Sequence, residues 1–205
     1  MSTATGGVID FLAPDPAAID FFDIATSLSR IPRWNGHTVA GRKAWNVAEH
    51  SILVCGLAIR AGCSKRTALL ALLHDAHEAF IGDLISPFKA AVRSLLADFG
   101  IGRAHCPLAL IQGYLQRAIH CRCGLAEPTE AEASEIHAAD LMALAIERAQ
   151  LLRAAALPAG YTWIDLPTPP DDITLPECGG EFHSRTRFLL ELRACCRDAG
   201  IEYPA

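Results

Sequence analysis

Apolar residues recur along this chain with the spacing of helices. Ile19, Phe22, Ile24 and Leu28 follow Asp15-Pro16, an N-cap and a first-turn proline, and predict a helix that Pro32 stops. Asn46 reads as the N-cap of a second helix through VAEHSILVCGLAIRAG, closed by Gly62. Ser64 caps a third, which the pattern carries unbroken to about Phe80, with Gly82 as its terminator. Ser86-Pro87 and Pro107 open two more, and Thr129 with Glu132 forms a capping box ahead of EASEIHAADLMALAIERAQLL. A last helix is expected from about Glu181 to Ala199. The proline-rich stretch around 158 to 180 predicts a surface excursion with a short strand at Tyr161 to Ile164. The pattern therefore points to an all-α fold.

Composition narrows the setting. The 205 residues suffice for one domain with its own core, and 51% hydrophobic against 20% charged residues argues for a folded chain. No apolar run is long enough for a membrane span, and the first residues lack the basic and apolar regions of a signal peptide, so a soluble cytoplasmic protein is expected. Eight scattered cysteines read as small buried hydrophobes; neither Cys121-Arg122-Cys123 nor Cys195-Cys196 has the C-x₂-C spacing of a zinc site. A net charge of −5 argues against a surface that tracks DNA or RNA phosphates. The one basic stretch is the loop SRIPRWNGHTVAGRKAWN, with Arg30, Arg33, Arg42 and Lys43.

Against this background LLHDAHEAFIGD is out of place. Leu69, Leu70, Leu72 and Leu73 mark a core helix, yet His74, Asp75 and Glu78 follow at spacings that bring them to one side. An uncompensated charge there costs several kcal/mol or more, in order-of-magnitude terms. A divalent cation would compensate it, and the His/Asp pair suits manganese, iron, cobalt, nickel, zinc or magnesium. Two further anomalies, His50 and Asp140, lie among apolar neighbours on other predicted helices. Either alone reads as a core histidine or a paired acid; four such residues on three helices share one explanation in a metal.

The order His50, His74-Asp75, Asp140 resembles the H…HD…D signature of the HD-domain metal-dependent phosphohydrolases. NVAEHS around His50 and HDAHEAFIGDLISPFK from His74 are similar to segments of the YfbR-like 5′-deoxynucleotidases, and the likeness runs from about Asp23 to Arg148. DIATSLSRIPRWNGHT also resembles the opening of phage hydrolases that cleave triphosphate from deoxyadenosine triphosphate. The resemblance implies an HD-domain helical bundle over residues 1–205, with a core of about 16–155, an excursion at 156–180 and a C-terminal helix at 181–200.

It also implies roles. His50, His74, Asp75 and Asp140 would hold one divalent ion. Glu78 would orient or deprotonate the attacking water, and Asp83 would position water or protonate the leaving 5′-oxygen. Arg33 would grip phosphate, Trp34 would pack on sugar or base, and Pro87 and Lys89 would line the nucleotide side. The expected reaction is attack at the α-phosphorus of a small 2′-deoxynucleotide: a monophosphate first, with a deoxynucleoside triphosphate yielding tripolyphosphate as the alternative, and a non-catalytic nucleotide-sensing module as the competitor of another class. Family habit adds a homo-oligomer. The chain departs from the deoxynucleotidases in a longer stretch, GHTVAGRK, between Trp34 and His50, and in Gly36, so base preference does not transfer.

Overall fold

The structure is a computed structural model that describes residues 1–39, 44–102, 105–153 and 165–204. The described residues form eight α-helices and no strand: α1 (Phe21–Leu28), α2 (Val47–Arg60), α3 (Lys65–Leu72), α4 (Glu78–Ile81), α5 (Ser86–Asp98), α6 (Pro107–Arg122), α7 (Glu130–Leu151) and α8 (Glu181–Asp198). The all-α expectation holds. The strand expected at 161–164, and Arg42 and Lys43 of the basic loop, lie outside the described residues.

Most caps are those the sequence announces. The Asn46 side chain accepts from the Glu49 amide, Ser64 accepts from Thr67, and Thr129 and Glu132 form both halves of a capping box. Two helices differ from expectation. The first is split: Asp15 caps only a 3₁₀ turn at Pro16–Ala18, Ile19 is extended, and Asp20 caps α1 afresh by accepting from Phe22. Two short aspartate side chains, each bonding the backbone two residues on, compete successfully with a continuous helix.

The second difference matters more. The helix expected to run to Phe80 ends at Leu72, and residues 73 to 77 form turns before α4 begins at Glu78. Backbone bonds there close at three-residue spacing, from Ala76 to Leu73 and from Glu78 to Asp75. Side chains take up carbonyls that a continuous helix would use: His74 Nδ1 donates to Ala71 O at 2.8 Å, and Gln116 Nε2, on α6, donates to Leu73 O at 2.7 Å. His77 accepts a place in the same network, 3.0 Å from Gln116 Oε1.

At the centre lies α3, whose Leu69, Leu70 and Leu72 are fully buried and each contribute about 2 kcal/mol by area burial. It packs against α2, α7 and α8, and α2 in turn contacts α7 and α8. A buried polar chain fastens α2 to α8: Asn46 Nδ2 donates to Ser184 Oγ at 3.0 Å, Ser184 donates to Glu49 at 2.9 Å, and Arg187 pairs with Glu49. The described end of the excursion is more firmly held than a surface loop. Gln150 bonds Ile173 O and Leu175 N, and Leu175 and Cys178 are buried. Among the described residues no helix is long and apolar enough to cross a membrane.

Candidate metal centre and active site

Helix α2 delivers His50, the turn after α3 delivers His74 and Asp75, and α7 delivers Asp140. In a straight helix, neighbours such as His74 and Asp75 diverge by about 100°. The turn removes that divergence: Asp75 Oδ2 lies 3.2 Å from His74 Nε2 and 3.7 Å from His50 Nε2. Asp140 Oδ1 lies 3.2 Å from His50 Nε2 and 3.8 Å from His74 Nε2. Ligands that share one ion through bonds of about 2.1 Å stand about 3.0 to 3.5 Å from each other. The two contacts of 3.2 Å fall inside that window and those of 3.7 and 3.8 Å lie a few tenths of an ångström beyond it, a spacing close to that of a shared cation.

The tautomers follow from the partners. His50 Nδ1 lies 2.7 Å from the Glu147 carboxylate and His74 Nδ1 lies 2.8 Å from a carbonyl, and both acceptors require a hydrogen on that nitrogen. Each Nε2 is then free to offer its lone pair. Both Nε2 atoms are buried without a hydrogen-bond partner, facing two carboxylates. Lone pairs and anions converging on one buried point fit a divalent cation. Burial opposes charging His74, but Asp75 and Asp140 outweigh it and hold the ring well above the ordinary histidine range. Burial likewise opposes the anionic forms of Asp75 and Asp140, and the two histidines overcome it and keep both pKa values low.

Glu147 escaped the sequence reading. It is fully buried on α7, seven residues after Asp140 and so on the same face. Its Oε1 accepts from His50 Nδ1 and, at 2.8 Å, from Trp45 Nε1; its Oε2 accepts from Trp34 Nε1 at 3.2 Å and lies 3.5 Å from Arg33 Nε. An acid inside the apolar run ALAIERAQLL, in step with Asp140, was the available signal. Trp45 is thereby a buried loop anchor. Trp34 is held in the left-handed region at φ 58°, followed by Asn35 at φ 48°, a pair of backbone conformations that costs about 1–2 kcal/mol per residue.

Beyond these four residues, Glu78 at the start of α4 is 1% exposed, and its Oε2 has no hydrogen-bond partner. Burial, with the charges of Asp75 and Asp83 beside it, pushes this carboxyl up to about 9. Asp83 follows Gly82, whose φ of 81° turns the chain back, and its Oδ2 lies 3.2 Å from Arg33 Nη1. Burial raises Asp83 as well. Arg33 is thus clasped between Asp83 and Glu147, whose charges outweigh its burial and keep it protonated. Lys89 on α5 is half-buried and its charge is felt at Glu78 and Asp83, whereas Pro87 is exposed at the first turn of α5. Arg30 points elsewhere, into a surface pair with Glu181 at 2.7 Å. His137 is exposed on α7.

A helical fold that brings a histidine, a His-Asp pair and an aspartate from three segments to one buried point is that of an HD domain. The family model 5′-deoxynucleotidase YfbR-like matches residues 20–150, and the chain belongs to that family. This makes it a 5′-deoxynucleotidase-type phosphohydrolase that acts on a small-molecule nucleotide, in a family class that uses divalent metals. The chain is also similar to an uncharacterized protein of Rhodobacter capsulatus, 40% identical over 150 residues that make up 72% of this chain and 70% of the relative.

Proposed function

We propose that the protein hydrolyses 2′-deoxynucleoside 5′-monophosphates to deoxynucleoside and orthophosphate. His50, His74, Asp75 and Asp140 would hold one divalent ion, which when bound supplies positive charge to the phosphoryl group and lowers the pKa of water. The observation that carries the reading is the pair of buried, unpartnered imidazole Nε2 atoms facing two carboxylates, with the unpartnered Oε2 of Glu78 close by in sequence and space.

Each remaining step falls to side chains of this chain. Glu78, returned to its carboxylate form by the charge of a bound ion beside Asp75 against the burial that raises it, accepts a proton from the attacking water as the water oxygen bonds to phosphorus. Arg33, steadied by Asp83 and Glu147, keeps donors of its planar guanidinium for the phosphate oxygens. The P–O5′ bond breaks, and the proton taken up by Glu78 passes by way of Asp83 to the 5′-oxygen. Lys89 adds positive charge on the same side, and Trp34 borders the sugar and base. Pro87 shapes the wall at the start of α5.

The triphosphate reading needs cations for two further phosphates. Arg30 is engaged with Glu181, and Arg42 and Lys43 lie outside the described residues, so the monophosphate is placed first on the deoxynucleotidase type of the family. Residues 1–205 act as one HD domain in this proposal. Homo-oligomerisation is proposed as well, on the exposed Phe88, Leu95 and Phe99 in and just beyond α5, a helix with no buried residue.

Product analysis is the test. Protein supplemented with manganese or cobalt is incubated with deoxynucleoside mono- and triphosphates and the products are separated by chromatography. Orthophosphate from monophosphates supports the proposal; tripolyphosphate, or no turnover of either, overturns it. Asp75→Asn should lose turnover and the manganese equivalent bound at this centre, and an unchanged manganese content would refute the ligand assignment.

A further inference from the structure

A second set of metal-ligand atoms lies where α2 meets α8. Cys55 stands on α2; Glu191 and Cys195, four residues apart and so on one face of α8, meet it. Cys55 Sγ and Cys195 Sγ are 3.6 Å apart, and each is 3.9 Å from Glu191 Oε1. The three atoms form a nearly equilateral triangle. Its centre is about 2.2 Å from every corner, inside the span of about 2.0 to 2.3 Å that zinc takes with carboxylate oxygen and thiolate sulfur.

Ordinary packing accounts poorly for this triangle. Glu49 and Glu147 each have strong donors: Arg187 and Ser184 for the first, His50 and Trp45 for the second. Among the described residues Glu191 has no ion-pair partner, and the groups that bond its carboxylate are two thiols, which are weak donors. A disulfide would remove those hydrogens and leave a carboxylate against bare sulfur. The neighbouring pair Cys123 and Cys196, 3.9 Å apart with no carboxylate beside it, shows what a plain thiol contact looks like in this core.

We infer that Cys55, Glu191 and Cys195 form a site for a thiophilic divalent cation of the zinc class, with a fourth position left to solvent or a small ligand. Cys55 is fully buried and Cys195 is 6% exposed, while the half-buried Glu191 marks the side open to water. Uptake converts two thiols to thiolates, and the two protons leave to solvent. Because uptake releases protons, it strengthens as pH rises. The site would fasten α2, which carries His50, to α8. C-x₂-C spacing could not reveal it, because the ligands come from helices far apart in the chain.

Cobalt(II) tests the inference on the full chain. Reduced, chelator-stripped protein is titrated with the metal while the near-ultraviolet thiolate-to-cobalt charge-transfer band is followed. The His/Asp centre contains no sulfur and cannot produce that band, so its occupancy or failure is read separately, from total bound cobalt. The expected result is the band together with one bound equivalent that Cys55→Ser and Cys195→Ser both lose, while Cys123→Ser keeps it. Absence of the band from reduced wild-type protein with native circular dichroism overturns the inference, and so does its persistence in Cys55→Ser.

Discussion

Replacing Glu147 with glutamine probes the centre through a residue that touches no metal ligand lone pair. The carboxylate accepts from His50 and Trp45 on Oε1 and from Trp34 on Oε2, where Arg33 Nε also lies as an ion-pair partner at 3.5 Å. Glutamine keeps the volume but turns one oxygen into an NH₂ group, so one donor pair meets hydrogens instead of an acceptor. Removing one partner of a buried charge pair costs about 3–5 kcal/mol. For a chain of this length each kcal/mol moves the melting temperature by about 2–4 °C, which gives a fall of about 10 °C. The loss of orientation and basicity at His50 should weaken metal binding by about 10- to 100-fold, the usual effect of a lost partner behind a metal ligand. Thermal melts of stripped protein and manganese titration calorimetry measure the two effects. A variant that melts within about 2 °C of wild type and binds manganese as tightly refutes the role given to Glu147.

Three further outcomes follow from other contacts. Glu78 has its pKa raised from 4.5 to about 9, so between those pH values the folded, metal-free protein holds a proton that the unfolded chain has released, and stability should fall as pH rises. Glu78→Gln should flatten that slope in urea titrations across the window and abolish turnover while keeping bound metal; an unaltered slope contradicts the assignment. Glu132, held down to about 2 by Arg66 and the Thr129 amide, works in the opposite sense: its stabilisation is present above 4.5 and is lost as pH falls toward 2, so Glu132→Gln should lessen the acid sensitivity of unfolding. Thr129→Ala, which removes the other half of the capping box, should cost about 1 kcal/mol in denaturant melts with turnover unchanged.

Capping chemistry made much of this architecture legible. Asn46, Ser64, Thr129 and the prolines at 87 and 107 act over a few residues, so their geometry is written locally. The break after Leu72 was not legible, because the group that takes up the Leu73 carbonyl is Gln116, 43 residues away. Leucine periodicity alone favoured a continuous helix. The residues proposed to hold the metal stood out as acids and imidazoles in apolar surroundings, a conflict visible without coordinates. Glu147 carries the same conflict and was passed over, since nothing local tells an acid that meets His50 from one that meets solvent. Arg33 shows the limit from the other side: its charge was readable, its clasp between Asp83 and Glu147 was not.

One carboxylate, Glu147, serves an imidazole on one side and a guanidinium on the other. With a cation on Nε2 of His50, the Nδ1 hydrogen becomes a stronger donor and draws Glu147 toward that ring. Glu147 would then hold Arg33 less strongly, leaving more of its attraction for an arriving anion. By thermodynamic reciprocity the anion favours the cation by an equal factor. Such a coupling would let the two reagents recruit each other, and the enzyme would idle when either ran short.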